Sequence, residues 1–361
     1  MRLTPYVSRL LPVIALAMAA VASRAQTAVP AVNDFDTLVR NYGAVVFNDA
    51  SFSNYGDTWG PIAVGGNLSL NGGSIAIQPG LYPAMTDPTL YVNGQLTVTN
   101  DVQLNSGYAS TPNITGSWTY SNDNQRILQG GPGGGKLMSA NSSSPLANND
   151  PRSNPAPANW NWSSIQSTAT SLSSTLAATT LSGTISVNTG NQTLTFTPNT
   201  TNAGVAVFQL DASLLGSGTY NGQSFSNLQF NMSADQTFAI NVINANGKTI
   251  FGNGVNFNDP GVADRILWNI TGSGSVGLGN GGQFYGSVLA PSMALSNANN
   301  TAINGQIVAG SLSYSSAELH YTAFSPTSVL VPEPATYALW AVGLCVAGLA
   351  WQWRMRRRLQ S

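Results

Sequence analysis

The fold is decided by one short pattern that occurs twice, as YGSVLAP at residues 285–291 and as NGQIVAG at residues 304–310. The two glycines, Gly286 and Gly305, are 19 residues apart. That spacing suits one coil of a β-solenoid, in which each coil buries its inward side chains on the next coil. Glycine at the corner of a coil permits a tight bend. The repeat therefore predicts a mainly β, solenoid-like body.

A related pattern occurs earlier in the chain, as IAVGGNL at residues 62–68 and as LYVNGQL at residues 90–96. Asn-Gly and Gly-Gly turn signals separate short runs with apolar alternation through most of the chain, which indicates strands and turns.

One stretch, residues 161–179, has helical spacing instead, since its apolar residues recur at i, i+4, i+7 and i+11. They are Ile165, Ala169, Leu172 and Leu176. Its other face is Ser and Thr, which are weak helix formers, so we expect this helix to depend on packing against the strands. Residues 31–41 predict a second, short helix.

The composition excludes several classes of protein. The 361 residues include 13 Lys+Arg and 14 Asp+Glu, and charged residues make up only 7%, against about 25% in an ordinary soluble domain. This charge cannot supply the basic surface that nucleic-acid binding needs. A single Cys and a single His argue against a structural zinc site, and 42% hydrophobic residues are too many for a disordered chain.

The N-terminus has the pattern of a signal peptide at residues 1–25. Arg2 and Arg9 precede an apolar run at residues 10–22, and small residues follow it. The small residues permit cleavage after Ala22 or after Ala25, and we place it between Ala25 and Gln26. A buried N-terminal helix is the alternative to a signal peptide. Cleavage by signal peptidase after export through the Sec machinery follows from this assignment.

The C-terminus has the pattern of a membrane span. Residues 335–353 contain no charged residue, and a helix of this length reaches about 28 Å, close to the hydrocarbon thickness of a bilayer. A basic tail at 354–361 follows, and its arginines are Arg354, Arg356, Arg357 and Arg358. Such a cluster stays in the cytoplasm, which leaves the body outside.

Immediately before the span, in a linker at residues 326–334, stand Val331, Pro332, Glu333 and Pro334. The order of this motif, the apolar span and the arginine cluster resembles the PEP-CTERM sorting signal of Gram-negative bacteria. The resemblance implies recognition by an exosortase, cleavage near the motif, and transfer to the cell surface or extracellular matrix. A simple membrane anchor is the alternative.

The body also resembles a known family. WGPIAVGGN at 59–67, ILWN at 266–269, ELH at 318–320 and the two glycine phrases resemble the choice-of-anchor A domain of bacterial surface proteins over about residues 33–325. We assign residues 26–325 to this domain. Residues 266–320 resemble, more loosely, the ice-binding β-solenoids that carry a long helix. That similarity implies a discontinuous solenoid with the 161–179 helix packed alongside.

Candidate chemistry is sparse. Residues 130–137, GGPGGGKL, approach a phosphate-binding loop, but Leu137 stands where a hydroxyl residue should hold Mg²⁺. Glu318 and His320 share one face of a strand; a surface ion pair is favoured over the beginning of a metal site, which needs more donors.

The remaining carboxylates and hydroxyls are more typical of residues that stabilise turns than of catalytic residues. Asp259, Asp264 and Arg265 surround Pro260-Gly261, where Asp commonly caps a turn, although a carboxylate pair acting on a polysaccharide stays an alternative. Asp34 and Asp36 lack a calcium-loop signature, and residues 272–275, GSGS, lack the spacing of a nucleophile elbow. Three threonines alternate on one predicted strand, Thr193, Thr195 and Thr197, and keep an ice-binding surface open as a hypothesis.

These observations predict an exported, non-catalytic surface or matrix protein with no cofactor and no metal. Its long uncharged faces suit contact with exopolysaccharide or other surface proteins. Binding to ice or to another crystal surface is the first alternative, and a polysaccharide-acting enzyme is the second. We expect transient anchoring through residues 335–353 before release to the surface of a Gram-negative bacterium.

Overall fold

The computed structural model describes residues 32–54, 56–113, 126–129, 134–139, 144–200, 204–252, 255–279, 281–297 and 300–326. These residues form strands β1 to β29, numbered in chain order, and two α-helices, α1 (Asn33–Val39) and α2 (Trp162–Ala178). Three 3₁₀ turns add Pro145–Asn148, Ala212–Leu214 and Pro260–Arg265. The predicted signal peptide, span and basic tail lie outside the described residues.

The chain winds through three faces in a fixed order, and neighbouring strands on a face are parallel, except for the antiparallel pairs β11–β12 and β13–β14 on the third face. The first face contains nine strands. In spatial order they are β10 (Ala109–Ser110), β7 (Leu90–Val92), β4 (Ile62–Val64), β1 (Ala44–Val46), the first half of β28 (Ile307–Ser315), the first half of β26 (Ser287–Asn297), β23 (Ile266–Ile270), β20 (Gln236–Ile243) and β15 (Gly204–Asp211).

The second face contains seven parallel strands, because β26 and β28 bend and continue onto it. In spatial order they are β8 (Leu96–Val98), β5 (Leu68–Leu70), β2 (Ala50–Ser53), the second halves of β28 and β26, β24 (Gly274–Leu278) and β21 (Lys248–Ile250).

The third face consists of three four-stranded sheets. The first contains β11 (Arg126–Gln129), β12 (Lys136–Ser139), β9 (Val102–Leu104) and β6 (Ser74–Ile75). The second contains β25 (Gln283–Tyr285), β27 (Ala302–Asn304), β29 (Glu318–His320) and β3 (Asp57–Thr58). The third contains β13 (Gly183–Asn188), β14 (Thr193–Pro198), β19 (Asn227–Phe230) and β22 (Asn256–Phe257). A separate antiparallel sheet joins β16 (Leu215–Gly216), β17 (Thr219–Tyr220) and β18 (Gln223–Ser224).

The solenoid is discontinuous in sequence. β1, the first strand of the body, lies between β4 and β28, the last strand of the first face. Early coils therefore stack away from β1 in one direction, and after α2 the later coils return toward β1 from the other end. The predicted mainly β, discontinuous solenoid is confirmed.

The coil length is close to the predicted value in part of the body. Val288 lies opposite Ile307, 19 residues later, whereas Ile62 lies opposite Leu90, 28 residues later. Both registers match the sequence repeats, but longer third-face loops lengthen some coils. A period near 20 therefore describes only some of the coils.

The long helix packs on the first face, as predicted. Its buried residues include Ile165, Ala169, Leu172 and Leu176, which contact outward side chains of the first face such as Leu267. Asn161 caps the helix, since its side chain accepts a hydrogen bond from the Ser164 N–H at 2.9 Å.

Buried polar groups bind the same helix to the sheet. The Ser173 hydroxyl donates to Asn269 Oδ1 at 2.7 Å, and Asn269 Nδ2 donates to Asn241 Oδ1 at 2.7 Å. Asn241 in turn donates to the Leu176 carbonyl at 2.8 Å. All three side chains are buried, and each is satisfied, which is the condition under which buried polar groups stabilise a fold.

Glycine and Asn/Asp residues form the corners. A Cβ on Gly305 would lie 2.3 Å from the carbonyl oxygen of Gly286 in the neighbouring coil, so only glycine fits there. At other corners a side-chain oxygen accepts the backbone N–H of the next coil. Asp49 accepts from Asn67 at 2.8 Å, and Asn67 accepts from Gln95 at 2.9 Å.

Candidate functional site

The second face carries a row of small outward residues at its centre. The strand registers place the members of this row side by side. They are Thr97, Ser69, Ser51, Ser313, Ser296, Gly277 and Thr249, which we call the hydroxyl row. Adjacent strands lie about 4.8 Å apart, so the row extends roughly 29 Å.

Short alternating strands create this row. In β5 Leu68 and Leu70 are buried and Ser69 is exposed, because successive side chains of a strand point to opposite sides of the sheet. A second outward column contains Ser275, Ala294 and Ser311, which are also in register. No side chain in either column is longer than threonine, so the centre of the second face is flat.

Most hydroxyls of the row remain available to a partner. Ser51 Oγ donates to Ser313 Oγ at 3.4 Å. Among the described residues, no hydrogen bond engages the hydroxyls of Thr97, Ser69, Ser296 or Thr249. A hydroxyl both donates and accepts, so the row presents a regular array of both functions.

The strands of the second face are almost free of charge. Lys248, at the edge strand β21, is the one charged residue within the seven strands described above. An uncharged surface of this kind does not depend on salt-screened attraction for binding. It suits a neutral, ordered partner rather than a nucleic acid or a charged lipid.

The structure confirms that Glu318 and His320 lie together on the third face. His320 Nε2 lies 2.9 Å from Glu318 Oε2, and the Trp59 Nε1–H donates to the same oxygen at 2.9 Å. Among the described residues no group of three or more His, Cys, Asp or Glu side chains has the geometry to hold a metal ion.

The glycine-rich segment does not have the context of a phosphate-binding loop. Lys136 begins β12, which pairs antiparallel with β11, whereas a phosphate-binding loop opens a helix. The Lys136 N–H donates to Asp101 at 3.0 Å. Residues 130–133 lie outside the described residues.

Asp259 and Asp264 lie at a turn, which is the favoured interpretation of the sequence. Asp259 directly precedes the 3₁₀ turn Pro260–Arg265. Asp264 lies within this turn next to Arg265, whose Nε lies 3.8 Å from Asp264 Oδ1. Arg265 donates to the carbonyl oxygens of Ser233 and Ala234. Asp34 and Asp36 are exposed in the first turn of α1. These positions are those of structural turn and helix residues.

The three alternating threonines lie on one strand, β14, as predicted, but they do not form an exposed array. Thr193 is buried, Thr195 and Thr197 are half-buried in β14, and the neighbouring strand β19 places Asn227 and Gln229 beside Thr193 and Thr195. The regular hydroxyl row lies on the second face and consists mainly of serine. In the sequence this row corresponds to a repeated apolar–Ser–apolar triplet. The triplet predicts a row of serines only when the strand registers are known.

Several predicted residues lie outside the described part of the chain. They are Ala25 and Gln26, the motif residues Val331, Pro332, Glu333 and Pro334, and the basic residues Arg354, Arg356, Arg357 and Arg358. Within the described ranges, no helix combines the length and the apolar character needed to cross a bilayer.

Comparison with known families identifies most of the chain. Residues 36–321 match the family described as "Putative Ice-binding-like adhesive domain". The chain belongs to this family. The match agrees with the predicted choice-of-anchor A resemblance, and the matched residues include every strand from β1 to β29.

Residues 330–358 match the PEP-CTERM protein-sorting motif, as predicted. This motif marks the chain for processing by an exosortase and for export and sorting to the cell surface of a Gram-negative bacterium. The chain is therefore a sorted surface protein with an ice-binding-like adhesive domain.

Solved structures give a weaker similarity. A glycosylated ice-binding protein from an Arctic yeast is 13% identical, with 85% of this chain and all of that chain covered and a TM-score of 0.32. A domain of the Shewanella frigidimarina ice-binding protein 1 is 13% identical, with 80% and 96% covered and a TM-score of 0.35. Similarity at this level supports no conclusion about this chain. No curated protein sequence matches the chain.

Proposed function

We propose that this chain is a non-catalytic adhesin of the bacterial surface or matrix, and that its second face binds an ordered, uncharged polysaccharide. The observation that carries the proposal is the hydroxyl row, a flat and regular array with free donors and acceptors. A polysaccharide presents hydroxyls at regular intervals, so many individually weak hydrogen bonds can form together without a deep pocket.

Maturation follows from the two ends of the chain. Signal peptidase cleaves between Ala25 and Gln26 after Sec export, residues 335–353 hold the protein in the membrane, and exosortase cleaves near Val331–Pro334. The arginine cluster at 354–358 keeps the tail in the cytoplasm until cleavage. Mass spectrometry of the mature termini tests these steps; a protein with both ends intact contradicts them.

The binding experiment uses a bulky neutral substitution in the middle of the row. Ser313→Tyr places a large ring on the exposed centre of the second face and prevents close approach of a flat partner. We expect retention of the purified protein on the producer's insoluble exopolysaccharide to fall at least tenfold. The matched control is Ser186→Tyr, also at an exposed strand position but on β13, which should bind like the wild type.

If both variants bind like the wild type, the second face is not the adhesive surface. If the wild-type protein is not retained and instead degrades the polysaccharide, the chain is an enzyme and the proposal fails.

Binding to ice is the second candidate, and the same row favours it, because an ordered hydroxyl array also matches a crystalline water surface. The name of the matched family supports this candidate as well. Thermal hysteresis of the purified protein, compared with Ser313→Tyr, tests it. Absence of hysteresis in the wild type removes ice as the partner and leaves the polysaccharide proposal intact.

A further inference from the structure

A second cluster of polar and aromatic side chains lies on the third face, on strands β25, β27, β29 and β3 and the residue after β3. Strand registers place its members close together, with Tyr285 beside Asn304, Asn304 beside His320, and Glu318 beside Asp57. The members are Asp57, Trp59, Gln283, Tyr285, Asn304, Glu318 and His320, which we call the polar strip. Four strands give the strip a length of roughly 14 Å.

Hydrogen bonds order one half of the polar strip. Gln283 Oε1 accepts from the Tyr285 hydroxyl at 2.6 Å and from Asn304 Nδ2 at 3.2 Å. Because Asn304 Nδ2 also donates to the Phe284 carbonyl at 3.3 Å, its Oδ1 faces His320 Nδ1 at 2.7 Å.

The other half is ordered around Glu318. Its Oε2 contacts both His320 Nε2 and Trp59 Nε1 at 2.9 Å, and the two rings lie 4.0 Å apart at 31°. Side chains held in this way lose little further conformational entropy when a ligand binds, which favours affinity.

The charge of the strip is incompletely balanced. Asp57 and Glu318 are register partners on adjacent strands, and like charges directly opposite each other are unfavourable. Burial raises the pKa of Asp57, and the nearby Glu318 carboxylate raises it further. The hydrogen bond from the Ser74 N–H acts in the opposite direction but does not cancel these effects.

Two carboxylate oxygens remain without a partner among the described residues. Asp57 Oδ1 accepts from Ser74 at 2.6 Å, which leaves Asp57 Oδ2. Glu318 Oε2 contacts Trp59 Nε1 and His320 Nε2, which leaves Glu318 Oε1 without a partner. In the described ranges, no Lys or Arg forms an ion pair with either residue. A cationic group placed between them would relieve their repulsion.

We propose that the polar strip binds a saccharide that carries protonated amino groups. An ammonium group donates up to three hydrogen bonds and would pair with Asp57 and Glu318. The rings of Trp59 and Tyr285 lie on the same strip and attract a cation or pack against a sugar ring. The Gln283 amide has donors left for sugar hydroxyls. This site is separate from the hydroxyl row and does not rest on the proposed binding by the second face.

The test measures binding of a glucosamine hexamer and of an N-acetylglucosamine hexamer to the purified full chain by calorimetry at neutral pH and low salt. The two probes differ in the positive charge of the amino group. We expect the glucosamine hexamer to bind at least tenfold more tightly, and we expect added salt to weaken its binding.

Asp57→Asn isolates the charge, because Asn keeps the Oδ1 acceptor for the Ser74 N–H. Hydrogen bonds to charged groups contribute enough that we expect affinity for the glucosamine hexamer to fall about tenfold. Asp101→Asn is the matched control, since Asp101 likewise accepts a backbone N–H, from Lys136, but lies outside the strip. Its affinity should equal that of the wild type.

A thermal melt checks that Asp57→Asn folds; if it does not, Glu318→Gln replaces it, because Gln retains an acceptor for Trp59. Equal binding of the two hexamers, no binding of the glucosamine hexamer, or unchanged binding by the folded variant overturns the proposal. Ser313→Tyr should still bind the glucosamine hexamer, which separates failure of this site from failure of the second-face adhesin.

Discussion

Replacing Gly305 by alanine tests how closely the coils stack at their corners. The added Cβ would lie 2.3 Å from the Gly286 carbonyl oxygen and 2.6 Å from the Gly286 carbonyl carbon. Both atoms belong to the backbone of the next coil, so no rotamer change removes the clash. The coils must move apart, which also strains the hydrogen bond from the Gly286 N–H to the Asn304 carbonyl at 2.9 Å.

Overpacking of this kind costs about 1–3 kcal/mol, and we expect the upper end of that range because the clash is between two backbones. For a body of this size, the loss corresponds to a decrease in Tm of roughly 5–10 °C. The assay is a thermal melt of the purified protein followed by circular dichroism.

Gly80→Ala is the matched control, because no atom lies within 4 Å of the Cβ that it would add. Its Tm should stay the same or rise slightly, since alanine restricts the unfolded chain. A decrease of less than about 2 °C for Gly305→Ala, or an equal decrease for both variants, refutes the close stacking of these corners.

Three further predictions concern the long helix and one tyrosine. Asn161→Ala removes the cap of α2 and should lower the free energy of unfolding by about 1 kcal/mol in urea titration. Asn269→Ala removes the partner of the buried Ser173 hydroxyl and the partner of Asn241 Oδ1, and should lower the free energy of unfolding by about 2–3 kcal/mol in the same assay. Burial, then Asp36 and Tyr82, raises the pKa of Tyr321 to about 12. The folded state thus favours the neutral phenol of Tyr321. The contribution of this group to the free energy of unfolding is complete below about pH 10 and is lost as the pH rises toward 12.

Each of these has its own comparison. Asn161→Ser retains a capping acceptor and should be as stable as the wild type. Asn241→Ala combined with Asn269→Ala should cost less than the sum of the single changes, because both belong to one network; additive costs would contradict that network. In urea titrations of Tyr321→Phe, the free energy of unfolding should decrease less between pH 10 and 12 than it does in the wild type. An equal decrease in both proteins would show that Tyr321 does not cause it.

The sequence predicts the coils better than it predicts the surfaces. The phrases at 285–291 and 304–310 indicate the correct register because the corner glycines and the inward apolar residues serve the same packing in each coil. The helix stripe is likewise local, since Ile165, Ala169, Leu172 and Leu176 follow from helical geometry alone.

The hydroxyl row was not predictable, because its residues come from coils that are far apart in sequence. Ser51 and Ser313 become neighbours only through the discontinuous pairing of β2 with β28. Serine is common throughout this chain, so no single triplet identifies the row. The polar strip was found in part: Glu318 and His320 were recognised as a pair, but the approach of Trp59 and Asp57 depends on the pairing of β29 with β3.

The described body begins and finishes on the first face. Val32 and Phe35 pack there beside Phe324, whose ring lies 5.3 Å from that of Phe35. A reporter protein joined directly before Val32 or after Pro326 would thus start on the side of the body that carries the helices. Such a fusion would leave the hydroxyl row and the polar strip unobstructed. One molecule could then bind two different materials at the same time, one on each surface.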